Sequence, residues 1–163
     1  MESQAKLVGH AVHPMLIVFP LGLLGMAVIF DILERATGNT GLATAAFWNI
    51  SAGIIMGLLA AVFGLIDWLA IPGGTRAKNI GLLHGGGNVV VVVLFAVSWL
   101  TRRGNPAFVP TTLGFVLEIL ALVLALVTGW LGGELVERLG VGVDEGANLN
   151  APSSLSNRST GVA

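Results

Sequence analysis

The sequence predicts an all-α integral membrane protein, built as an up-down bundle of four transmembrane helices. Three observations predict it. Hydrophobic residues make up 55% of the 163-residue chain and charged residues only 10%, against roughly 25% charged in an ordinary soluble domain. That is too little charge to cover a solvated surface. Four apolar stretches reach the ~20 residues that a helix needs to cross a bilayer. The segments between them are short and turn-rich, which makes successive helices antiparallel.

The first span is expected from about Val12 to Leu33. Its apolar run is too long for a signal-peptide core and has no small-residue cleavage site after it, so it reads as a retained helix. The second span is expected from about Leu42 to Ile71, the third from about Ile80 to Leu100, and the fourth from about Val109 to Leu131. The valine run Val89 to Val93 would favour a strand in a soluble protein. In a bilayer, spans of this length without polar alternation satisfy their backbones as helices. The connections are Ala36 to Gly41, Pro72 to Thr75 and Thr101 to Pro106. The expected division is a transmembrane domain over 1–143 and a polar tail over 144–163, rich in Ser, Asn and Gly and expected to be disordered.

Tryptophans support the spans. Trp48 and Trp99 fall near one membrane face, Trp68 and Trp130 near the other, where indole rings meet headgroups. An even number of spans puts both termini and the second loop on one side. Lys6, Arg76, Lys78 and Arg138 lie on that side, against Arg35, Arg102 and Arg103 on the other, which favours cytoplasmic termini. The net charge of −1 and the lack of a basic patch argue against a nucleic-acid partner. The chain has no Cys, which excludes disulfides, thiolate metal sites and covalent haem attachment.

Ionisable groups inside a membrane are costly and mark candidate sites. His10 and His13 stand at the start of the first helix and would share a face if the helix included both. Asp67 lies about one turn from the end of the second helix, and His84 and Asn88 lie in the first turns of the third. Glu134 just follows the fourth. All these ends face the side of the termini, so His13, Asp67, His84, Asn88 and Glu134 are expected to converge. Gly85, Gly86 and Gly87 bare the backbone beside His84, to admit another helix or a flat ligand. Asp31, Glu34 and Arg35 read as an ordinary helix end. Glu118 falls about ten residues into the fourth span, near the midplane, where it must be paired within the bundle or protonated.

Several segments together resemble a known family. They are His13-Pro14-Met15-Leu16-Ile17-Val18-Phe19-Pro20, Gly64-Leu65-Ile66-Asp67, Lys78 with His84 and Asn88, and Gly129-Trp130-Leu131-Gly132-Gly133-Glu134-Leu135-Val136. The chain is similar over about residues 8–145 to the bacterial membrane family catalogued as domain of unknown function 2231. It departs from many members at Ile17, three residues before Pro20, where they carry a histidine. The resemblance implies four helices in a bacterial inner membrane. Fusions of some relatives to Rieske or cytochrome c domains imply membrane electron transfer.

The residues leave several functions open. One is a b-type haem protein with His13 and His84 as axial ligands and Asp67 or Glu134 behind them, serving a redox partner. Another is a structural or accessory subunit in which the polar cluster ties helices together, in a homo-oligomer or a larger complex. A proton or small-ion pathway through Asp67, His84 and Glu118 is a third. A metal site from His10, His13 and His84 with Asp67 is a fourth, since imidazole with carboxylate suits zinc or copper. No paired nucleophile and base stands out, which argues against hydrolysis. The lipid bilayer is the one partner that composition demands.

Overall fold

The computed structural model describes residues 1–156. Among them, four helical spans are long and apolar enough to cross a membrane. The first is α1 (Val12–Leu16) continued by α2 (Val18–Thr37); the others are α3 (Thr40–Ala70), α4 (Arg76–Arg102) and α5 (Thr112–Gly133). They run up and down in sequence order, as the sequence predicts.

Each boundary has a local cause. The break at Ile17 lies where Pro20 withholds its N–H from the Leu16 carbonyl and crowds it. The helix resumes at once, with the Leu21 N–H donating to Ile17 O at 3.1 Å. Gly38 ends α2 at φ +72, a left-handed conformation that costs glycine nothing. Asn39, Thr75 and Thr111 cap α3, α4 and α5, each side chain accepting from a backbone N–H of the first turn.

α2 packs along α3 and α4 along α5, forming two hairpins that meet chiefly through α3 and α4. Leu24, Ala27, Val28, Ile50, Val91, Phe95 and Ala121 form the shared core. Small residues let these helices approach closely: a Cβ on Gly53 would sit 2.7 Å from the Leu24 side chain. Large apolar side chains such as Leu65, Leu82 and Leu126 point outward, as a lipid-facing surface requires.

Before α1, the chain forms a small antiparallel hairpin, β1 (Lys6–Leu7) paired with β2 (His10–Ala11). Val8 and Gly9 turn it with φ +52 and +81, the geometry of a two-residue hairpin loop. The segment after α5 continues as one wide turn over Glu134–Arg138 and then folds back. Gly142 N–H donates to Met1 O at 2.9 Å, and Lys6 bonds Asp144 at 2.5 Å. Residues from 144 to 156 carry no helix or strand; the rest of the expected tail, 157–163, lies outside the described residues.

Candidate functional site

The rings of His13 and His84 meet at the terminal side of the bundle. Their centroids are 6.3 Å apart and their planes stand at 85°. Each ring comes from a different hairpin and is fixed by the neighbouring helix of its own hairpin. His13 Nδ1 lies 2.9 Å from the carbonyl of Ala60 on α3. His84 Nδ1 lies 2.8 Å from the carbonyl of Thr128 on α5. A carbonyl only accepts, so each Nδ1 carries the hydrogen. In the neutral ring that leaves the lone pair on Nε2. Backbone carbonyls commonly hold metal-ligating histidines in this tautomer.

Glycines make room for both rings. A Cβ on Gly64 would meet the His13 ring at 2.9 Å, and one on Gly132 would meet the His84 ring at 3.0 Å. The two halves repeat one pattern: a histidine on the hairpin's first helix reaches a carbonyl on the second through Nδ1, and a glycine four residues past that carbonyl receives the ring.

Asn88 completes the His84 side. Its amide nitrogen donates to His84 O at 3.0 Å and lies 3.3 Å from His84 Nε2. The Thr128 hydroxyl donates to Asn88 Oδ1 at 2.9 Å, which fixes the amide orientation. Thr128 is thus bonded at both its carbonyl and its hydroxyl. It escapes a reading by charge because it is one small polar residue in an apolar run.

Other candidates are engaged elsewhere. Asp67 is taken by the N-terminal segment: Ser3 Oγ lies 2.8 and 2.9 Å from its two oxygens, and Gln4 N–H donates at 2.8 Å. Glu134 pairs with Arg76 at 2.6 Å. His10 does not share a helix face with His13. It lies on β2, outside the helix, where β pairing claims the backbone and its exposed ring turns to Val8 O at 3.1 Å. Among the described residues, no three His, Asp or Glu side chains gather closely enough to hold a metal ion. The proposed quartet of His10, His13, His84 and Asp67 is therefore not assembled.

A second polar cluster lies at the opposite end. Arg102 bonds both oxygens of Asp31, at 3.3 and 2.6 Å, and also bonds Glu118, which accepts from Ser98 as well. All four side chains are 0% exposed. Glu118 does face the bundle interior with partners within reach, but it lies in the first two turns of α5 rather than at mid-depth. The reading of Asp31 as part of an ordinary helix end is corrected. Asp31 turns inward, and Arg35 instead caps the Phe115 ring at 4.4 Å. Arg102, read as a loop residue, closes the last turn of α4. Ser98 and Arg102 stand four apart on one helix face, the signal that could have found them.

Four apolar spans, with a half-buried histidine cluster at one end and a fully buried charged cluster at the other, define a small multi-pass α-helical membrane protein. The chain belongs to the family described as predicted membrane protein (DUF2231), whose model matches residues 9–145. Neither a curated protein nor a solved structure matches the chain.

Proposed function

We propose that His13 and His84 ligate a b-type haem and that the protein is an electron-transfer subunit of the membrane. One observation carries this reading: two imidazoles from separate hairpins come together edge to face, 6.3 Å between centroids, with both Nδ1 atoms anchored to carbonyls. The pair would supply two imidazole nitrogens to a haem iron, a ligand set that such iron accepts. The chemistry of the pair suits haem iron better than zinc, which needs more protein ligands than two. Gly85 and Gly86, which follow His84 on α4, are exposed and have open space around them. When bound, the haem supplies a one-electron carrier. His13 and His84 would hold it, and the carbonyls of Ala60 and Thr128 fix the tautomer of each ring.

The membrane is the bacterial cytoplasmic one, with the termini in the cytoplasm. Lys6, Arg76, Lys78 and Arg138 stand on the side of the termini against Arg35, Arg102 and Arg103, a bias towards cytoplasmic termini under the positive-inside rule.

A structural reading has its own support. The amide of Asn88 already lies 3.3 Å from His84 Nε2, so the cluster closes its own hydrogen bonds and ties helices together. One experiment separates the two. Reduced-minus-oxidised spectra of membranes, after expression with haem supplied, should show Soret and α bands that vanish in both His13→Ala and His84→Ala. A wild type without bands leaves the structural reading. Bands that survive both substitutions would mean a haem held by other residues.

A further inference from the structure

We propose that Asp31, Arg102 and Glu118 form a proton-binding site that exchanges with the side of the membrane opposite the termini. Two carboxyl groups surround one guanidinium, and all three side chains are fully buried. With both carboxyls ionised, the cluster would bury one uncompensated negative charge, an arrangement that apolar surroundings penalise heavily. A single proton on one of the two carboxyls makes the cluster neutral.

The atoms show where the proton belongs. Glu118 Oε1 takes both Arg102 and Ser98, while Oε2 is buried without a hydrogen-bond partner. Oε2 is therefore the oxygen that carries hydrogen. The buried Arg102 Nε also lacks a partner. Loss of the proton takes the cluster from neutral to one net negative charge, and water is the acceptor.

Hydroxyls lead outward from the site. Ser98 bonds Glu118. A Cβ on buried Gly114 would lie 3.0 Å from Ser98 Oγ, 2.9 Å from Thr101 Oγ1 and 3.2 Å from Thr111 Oγ1. Thr101 and Thr111 lie 3.3 Å apart, beside the loop before α5. Gly114 thus gathers three hydroxyls between Glu118 and solvent. In the other direction Val91, Phe95 and Ala121 pack the core towards the histidines, so the site opens to one side only. The other ionisable groups near it are few. On α2, Glu34 is buried one turn further on, and Arg35 reaches the carbonyls of Pro110 and Thr111. Beyond α4, Arg103 lies over Trp99. Along α3 the one acidic residue, Asp67, is near the far end.

Infrared difference spectroscopy of the purified protein in lipid tests this directly and does not depend on haem. At neutral pH the wild type should show a protonated-carboxyl C=O band that shifts down after transfer to D2O. Glu118→Gln should remove it, since Asp31 and Arg102 then balance alone. Asp31→Asn should also remove it, because Glu118 then ionises against Arg102; this second variant keeps the test alive if the first does not fold. No band in the wild type, a band that persists in either folded variant, or a band that resists D2O would overturn the proposal.

Discussion

His84 and Thr128 are joined twice: directly, through the Thr128 carbonyl at 2.8 Å from Nδ1, and indirectly, through the Thr128 hydroxyl that holds Asn88 against the same histidine. The carbonyl sets the tautomer and the hydroxyl sets the neighbour. Replacing the side chain of Thr128 should therefore loosen Asn88 without freeing Nδ1. Thr128→Val keeps the shape and removes one hydrogen bond, for a loss of about 1 kcal/mol. Thermal unfolding in detergent measures it. A stability equal to the wild type would show that Asn88 needs no such anchor.

Gly64 and Gly132 should tolerate no branched side chain. Gly132→Val would press on a ring whose Cε1 already lies 3.0 Å from the position of a first added carbon. Overpacking of this kind costs roughly 1–3 kcal/mol. Gly129, with open space around it, is the control, and Gly129→Ala should be near neutral. Parallel melting curves of the two variants decide the matter; equal curves would mean that the ring moves aside freely.

Arg102 should be the most sensitive single position. Arg102→Met leaves Asp31 and Glu118 buried together without a cation, and breaking such a buried pair costs about 3–5 kcal/mol. Expression level and detergent melting should both fall sharply. Arg103, one residue on, lies over the Trp99 ring at 4.8 Å, and Arg103→Met should cost far less.

The N-terminal segment should release from the 144–145 region at both pH extremes. The Lys6 ammonium, with the backbone N–H of Glu145 next, holds Glu2 below its ordinary 4.5. Its contribution is present above 4.5 and lost as pH falls through the lowered value. Asp144 first, and then Glu2, hold Lys6 above its ordinary 10.5. That contribution is full below 10.5 and lost as pH rises through the raised value. Hydrogen exchange at Glu145 N–H, which donates to Glu2 at 3.1 Å, should therefore keep its protection across the intervening range. Protection that disappears near neutrality would contradict this.

Helices were legible in the sequence because lipid imposes a length and a polarity that few other structures meet. Each span came within a few residues of its observed bounds, although α4 begins at Arg76 and runs to Arg102, beyond the expected Ile80 and Leu100. Helix ends in a membrane can carry charge, so hydropathy alone trims them short. The site was legible in part. Helix phase brought His84 and Asn88 together, and shared depth brought His13 to them. Asp67 and Glu134 have the right depth but the wrong neighbours, since Ser3 and Arg76 reach them first. Depth says which side chains are near one level; it does not say which way each helix is rotated. The same ignorance hid Asp31 and Arg102, whose inward rotation is visible only once the helices are packed.

The repeated pattern of histidine, carbonyl and glycine makes each hairpin half of a symmetric pair. One hairpin alone brings one ring and has nothing to oppose it, whereas two copies meeting in a membrane would complete each other. Joining them through the turn at 72–75 replaces an encounter between molecules with one inside a chain. A single chain also permits what identical copies could not do. Asp31 stands in one half, and Arg102 and Glu118 in the other, a division of charge that no two-fold symmetric dimer could hold as a single buried set. The division can be measured: residues 1–73 and 74–163, expressed together as separate chains, should find each other and copurify. If they do not, the two hairpins depend on their tether for more than proximity.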